Sequence, residues 1–149
     1  MTTRNDTDDA LALESQLCFA LYSTQLAMNK LYRGLLRELD LTYPQYLTML
    51  VLWQRDRQTV SEIGEQLYLD SATLTPLLKR LEAAALITRQ RSRQDERQVE
   101  IALTEKGRSL REQAKAIPHA AGCAAQCTPE EAAQLRDALH GLRQRLDTQ

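Results

Sequence analysis

The hydrophobic period of this chain leaves the helical spacing in one stretch, and that stretch begins at residue 86. Up to Ala84 the apolar residues recur every three or four positions, the spacing of a helix face. From Leu86 to Leu103 the period becomes two. Leu86-Ile87-Thr88-Arg89-Gln90-Arg91 reads as a strand, and Ser92 to Glu96 as a polar turn. Val99, Ile101 and Leu103 then alternate with polar neighbours as a second strand. The result is a hairpin with a charged tip, set in an otherwise helical chain.

Two short helices stand in front of it. The first covers about Ser61 to Leu67, with Ile63 and Leu67 facing the core, and Tyr68-Leu69 makes the turn. Asp70 or Ser71 can cap the second, which runs to about Ala84 and buries Leu74, Leu77, Leu78 and Leu81. Pro76 removes one of its hydrogen bonds and is expected to bend its first turns. Two short helices, a tight turn and a hairpin are the layout of a winged helix-turn-helix. In that layout the second helix enters the major groove by its N-terminal end. Here that end offers the hydroxyls of Ser71, Thr73 and Thr75, with Lys79 and Arg80 spaced to reach phosphates. At the hairpin tip Arg93 and Arg97 flank Asp95-Glu96, and a guanidinium there can enter a minor groove. Asp95 is read as a brace for Arg97, since a carboxylate facing phosphate is repelled.

Charge alone does not announce nucleic acid, because the formal net charge is -1. The distribution does. Lys79, Arg80, Arg89, Arg91, Arg93 and Arg97 crowd one segment against Glu82, Asp95 and Glu96. A DNA reader needs only its contacting face to be basic. At 149 residues, 43% hydrophobic and 26% charged, the chain reads as one soluble globular domain over residues 1–149. It has no apolar run of bilayer length, and Met1 to Ala10 is too polar for a secretory signal. A cytoplasmic protein without membrane contact is expected. Its three cysteines form no C-x-x-C or Cys/His zinc pattern, so no metal or other cofactor is expected and the thiols should be reduced.

Helices flank the reading unit. Leu13, Leu17, Leu21, Met28, Leu31, Leu35 and Leu39 predict one long helix over about residues 11–39. Thr42-Tyr43-Pro44-Gln45 is a helix-start signature, opening a richly apolar helix to about Gln54. Two helices close the chain. One covers about Thr104 to Ile117, stopped by Pro118, and the other runs from the capping sequence at Thr128 to about Leu146.

Cys18 lies in the first helix, within Leu17-Cys18-Phe19-Ala20-Leu21-Tyr22. Free cysteine is usually a small buried hydrophobe. Tyrosine hydroxyls and a second thiol are what turn such a residue into a redox sensor. No lysine, arginine or histidine lies within a turn of it. Tyr32 returns to nearly the same helix face 14 residues later. At about 1.5 Å per residue it is then roughly 21 Å away. Tyr32 can therefore meet only the Cys18 of a second subunit, if the first helices pack antiparallel about a two-fold axis. Cys123 and Cys127, four apart, share a face if their segment is helical.

Four segments carry a family resemblance: Leu17-Cys18-Phe19-Ala20-Leu21-Tyr22, Leu41-Thr42-Tyr43-Pro44-Gln45-Tyr46, the run Leu69 to Lys79 with its Leu74-Thr75-Pro76, and Asp95-Glu96-Arg97. The chain resembles the MarR family of dimeric winged-helix repressors, and within it the organic hydroperoxide resistance regulators. Ala72 departs from the pattern, which has glycine there. The resemblance implies a mainly α fold with a β-hairpin wing. A winged core would cover about residues 43–104, between dimerisation helices at about 11–39 and 104–146. It implies a homodimer that binds pseudo-palindromic double-stranded DNA and is released when organic hydroperoxides oxidise Cys18. Tyr32 and Tyr43 of the partner chain would hold the Cys18 thiolate. Such regulators include a two-cysteine type with an intersubunit disulfide; Cys123 fits the resolving position, with Cys127 as the alternative. Two other readings stand beside this one. One is a MarR-type repressor released by a small aromatic ligand. The other, a thiol peroxidase, needs an arginine beside the thiol, and none is near Cys18 in sequence.

Overall fold

The computed structural model describes residues 9–149. The stretch from Met1 to Asp8, and with it most of the polar N-terminal segment, lies outside the described residues. Helix α1 (Leu17–Leu35) leads to α2 (Tyr43–Gln54), a short strand β1 (Gln58–Thr59), α3 (Val60–Leu67) and α4 (Ser71–Ala83). The hairpin β2 (Ile87–Arg91) and β3 (Val99–Leu103) follows, and then α5 (Glu105–Ala114), α6 (Ile117–Ala124) and α7 (Pro129–Asp147).

The core lies where α2, α3, α4 and the sheet meet. Met49 and Leu52 of α2, Ile63 of α3, Leu74, Leu78 and Leu81 of α4, Ile87 and Ile101 of the hairpin are all essentially closed to solvent. Each such side chain contributes about 1.5–3 kcal/mol through removal from water. Side-chain caps start five of the helices, those at Thr42, Asp70 and Thr128 being the ones the sequence places. Thr42 Oγ1 accepts from Gln45 N while Gln45 Oε1 accepts from Thr42 N, closing a reciprocal box with Pro44 in the first turn. Thr59, Asp70, Thr104 and Thr128 cap α3, α4, α5 and α7.

Several elements differ from the sequence expectation. The first helix is shorter than residues 11–39. Gln16 is extended, its amide donating to Ala10 O and Ala12 O, and 3-10 turns at Leu13–Ser15 and Arg37–Leu39 flank α1. A 3-10 turn also sets residues three apart on one side, so buried Leu36 and Leu39 mimic a continuing α-helix. The hairpin is part of a three-stranded antiparallel sheet of order β1-β3-β2, with Gln58 opposite Ile101 and Ile87 opposite Leu103. Two residues carry no period, so β1 had no sequence signal. It is fixed by buried Gln58, whose amide donates to Val51 O at 3.1 Å and whose Oε1 accepts from Gln66 at 2.6 Å.

Pro76 does not end or divide α4. The bond it removes belongs to the carbonyl of exposed Ala72, which water can reach, while the buried leucines hold the following turns. Pro118 begins a helix instead of merely stopping one. It occupies the first turn of α6, where a missing N–H costs nothing. Three helices, not two, therefore close the described chain. At α7, the Arg143 guanidinium lies 4.6 Å over the ring of Tyr68, tying this last helix to the turn between α3 and α4.

Candidate DNA interface and thiol site

The α3–α4 turn is built by two unusual positions. Tyr68 ends α3 in the left-handed region (φ 58°), and Leu69 N then donates to Gly64 O at 3.0 Å. A Cβ at position 64 would stand 2.7 Å from Leu69 O, so only glycine lets the turn close this tightly. Asp70 then caps α4 through Oδ1, which accepts from Thr73 N at 2.7 Å. The Thr73 backbone N–H, with its side-chain hydroxyl second, lowers the Asp70 carboxyl below its ordinary range. Ser71 and Thr73 are exposed at the open end of α4, with Lys79 and Arg80 exposed further along. Thr75 is half-buried and its hydroxyl donates to Ser71 O at 2.7 Å.

The hairpin tip is ordered by short-range bonds. Ser92 Oγ accepts from Gln94 N and Asp95 N, and Ser92 N donates to Gln98 O. Asp95 Oδ1 accepts from both the backbone N (3.1 Å) and Nε (3.3 Å) of Arg97, whose side chain remains 91% exposed. Arg93 is exposed beside it. The basic stripe read from the sequence is less uniform than it looked. Arg89 lies 3.2 Å from Glu82, is largely covered, and has a buried Nε with no partner among the described residues. It bridges β2 to α4. Arg91 donates to Glu96 O at 3.1 Å. The exposed cations of the stripe are therefore Lys79, Arg80, Arg91, Arg93 and Arg97, with Arg91 partly engaged by the Glu96 carbonyl.

Cys18 is exposed, contrary to its apolar sequence setting. Leu17, Tyr22 and Leu26 are each more than half exposed, and α1 buries no residue along its whole length. Because the helix begins at Leu17, Cys18 stands in its first turn. The amide N–H groups there lack helical acceptors, and the helix dipole favours negative charge. A helix start placed near residue 11 hides this feature. At the other end of α1, Tyr32 packs against Tyr43 with ring centroids 4.7 Å apart, and Tyr46 lies 6.0 and 6.3 Å from the two. Burial raises the pKa of all three above the usual phenol value, with the neighbouring phenols adding to the effect at Tyr43 and Tyr46. Their hydroxyls stay protonated and able to donate. Tyr46, part of the Leu41–Tyr46 segment, was assigned no role at the thiol site from the sequence, although its i,i+3 spacing from Tyr43 on α2 marks it as a neighbour.

The distal cysteines do not share a helix face. Cys123 is exposed on α6, with Sγ 3.5 Å from His119 Nε2. Cys127 is half-buried beyond the helix, past Gln126, which is left-handed (φ 54°). His119 also escaped the sequence reading, though four residues is one helical turn. Among the described residues no group of three metal-ligating side chains occurs, and no helix is long and apolar enough to cross a membrane.

Comparison with known proteins places this architecture. Residues 30–114 match the family model of the transcriptional regulator SarA/Rot. Over 93% of its length the chain is 50% identical to the HTH-type transcriptional regulator TtmR of Methylorubrum extorquens, covering 71% of that protein. It is also 50% identical, over 93% of its length and 94% of the relative's, to the organic hydroperoxide resistance transcriptional regulator of Bacillus subtilis. Reduced AbfR bound to DNA superposes with a TM-score of 0.78 at 34% identity, covering 95% of this chain and 97% of that one. The disulfide-formed structure of AbfR gives 0.63 at 36% identity, covering 91% and 96%. The chain belongs to the SarA/Rot group of MarR-like winged-helix proteins, a family of DNA-binding transcriptional regulators and not of enzymes.

Proposed function

We propose that the protein is a homodimeric transcriptional repressor of the cytoplasm that leaves its operator when organic hydroperoxides oxidise Cys18. The observation that carries this reading is the separation along α1 of two groups that one thiol site would need together. Cys18 stands on the uncovered, apolar N-terminal turn of α1, and the protonated tyrosines cluster at its far end. An antiparallel pair of α1 helices brings Tyr32 and Tyr43 of one subunit to the Cys18 of the other. The exposed leucines of α1 and of α7, Leu135, Leu139 and Leu146, supply the apolar surface for that pairing. The conformation described here is closer to reduced, DNA-bound AbfR than to its disulfide form.

The chemistry balances in two steps. The Cys18 thiolate attacks the outer peroxide oxygen, the O–O bond breaks, and the alcohol leaves with a proton. A thiolate then attacks the resulting sulfenic sulfur, and water leaves as the disulfide forms. Cys123 of the partner subunit is the preferred resolving thiol, being exposed where Cys127 is partly covered. The winged core, about residues 43–104, reads DNA, and the helices on either side join the subunits. Ser71 and Thr73 face base edges and phosphates, while Thr75, turned back onto its own helix, orders the helix end. Lys79 and Arg80 meet the backbone, and Arg93 and Arg97 enter the minor groove. Arg89 acts through Glu82 by fixing the wing to the reading helix.

Binding to operator DNA selected from a random pool tests the reading. One equivalent of cumene hydroperoxide per subunit should release the DNA, and dithiothreitol should restore binding. Reduced protein that ignores the peroxide but is released by an aromatic acid would place it with the ligand-controlled repressors instead. On non-reducing gels Cys123→Ser should abolish the oxidised dimer band, whereas a band at full strength assigns resolution to Cys127. Arg97→Ala should lower the slope of log K against log salt by about 1, with affinity reduced across sequences. An unchanged slope removes Arg97 from the interface.

A further inference from the structure

Cys123 carries a companion that packing does not require. Ile117 and Ala121 are the buried residues of α6, and they anchor the helix, which packs against α1. His119 and Cys123 fall two positions after each of these, about 200° around the helix. Both are exposed, and they face each other across one turn at 3.5 Å. The anchored backbone fixes the pair, while neither side chain is held by the core.

We propose that His119 is a positioning residue for Cys123: the imidazole takes the thiol proton and holds the thiolate in place for disulfide closure. This rests on the redox reading above. The step adds nothing to its stoichiometry. The proton moves from Sγ to Nε2, and the Cys123 thiolate attacks the sulfenic sulfur of the partner subunit's Cys18. The S–O bond breaks, and the departing hydroxide takes the proton from the imidazolium as water. The thiolate, not the thiol, is the nucleophile in this exchange, so a neighbouring base sets how much of Cys123 is ready to react.

The charges around the pair leave the imidazole to this task. On α6 itself His119 and Cys123 are the ionisable residues. One turn before, Lys115 and Glu112 satisfy each other at 2.9 Å. The ionisable side chains of α1 are Cys18, Tyr22, Lys30, Tyr32 and Arg33, with no carboxylate among them to hold an imidazolium elsewhere. The nearest carboxylates downstream, Glu130 and Glu131, open α7 beyond Cys127. The same arrangement separates the two distal cysteines, because Cys127 lies past the end of the helix that presents the imidazole.

Two measurements test it on the full-length protein. In a Cys18→Ser, Cys127→Ser background, iodoacetamide alkylation of Cys123 is followed from pH 5 to 9. His119→Asn should change the shape of the pH profile and slow alkylation at pH 7 by about tenfold. In the Cys127→Ser background, His119→Asn should slow disulfide closure after cumene hydroperoxide by a similar factor. Trapping of the Cys18 sulfenic acid by dimedone should be unchanged. Superimposable alkylation profiles with and without His119 overturn the proposal. If no dimedone adduct forms on Cys18, the redox reading fails, and the alkylation profile still decides the His119–Cys123 pair.

Discussion

Cys18→Ser is expected to bind operator DNA as tightly as the parent protein and to stay bound in cumene hydroperoxide. Serine keeps nearly the same volume, and the side chain is exposed in the chain, so the substitution removes little packing. What it removes is the sulfur lone pair that attacks the peroxide. Allosteric couplings typically amount to 1–3 kcal/mol. Oxidation of the parent should therefore cut DNA affinity by about 10- to 100-fold, and that change should vanish in the variant. Anisotropy titrations with and without one equivalent of peroxide make the comparison. A serine variant that still leaves its DNA would move the sensor away from Cys18, whatever the family pattern.

Gly107→Ala should produce the largest loss of stability. A Cβ at this position would stand 2.1 Å from Leu86 O and 3.2 Å from a methyl of Leu103. The obstructing atom is backbone and cannot swing aside. Leu86 O accepts from Thr104 N at 3.1 Å, and Gly107 O accepts from the Trp53 indole at 2.9 Å. To admit one methyl group, α5 must move off the sheet and give up both bonds. Overpacking of this kind costs about 3 kcal/mol or more. In a chain of this size a thermal melt should show a midpoint lower by about 10 °C. A shift of only a degree or two would mean that the start of α5 is pliant.

What could be read from the sequence was local. The helix caps at Thr42, Asp70 and Thr128 and the alternation of Val99, Ile101 and Leu103 each depend on a few adjacent residues, and the winged helix-turn-helix follows from them. The features that escaped depend on residues brought together from a distance, or on patterns that two structures share. Strand β1 exists because Gln58 finds Val51 and Gln66. Arg89 counted as a basic residue until folding set it against Glu82. The ends of α1 were misplaced because 3-10 and α spacing agree over a single turn, and that error concealed the position of Cys18 in the first turn. Pro118 could be read as a stop or as a start, and only the second reading yields the helix that carries Cys123.

The two longest helices, α1 and α7, bury nothing of their own. A helix of this length that touches the rest of the chain but buries none of its residues fully draws little stability from packing within the chain. The winged core therefore has a stability set within the chain, whereas in the proposed dimer the order of the outer helices follows mass action. Dilution should loosen the sensing arms before the reading head, so that the copy number of the protein sets how much of its sensor exists.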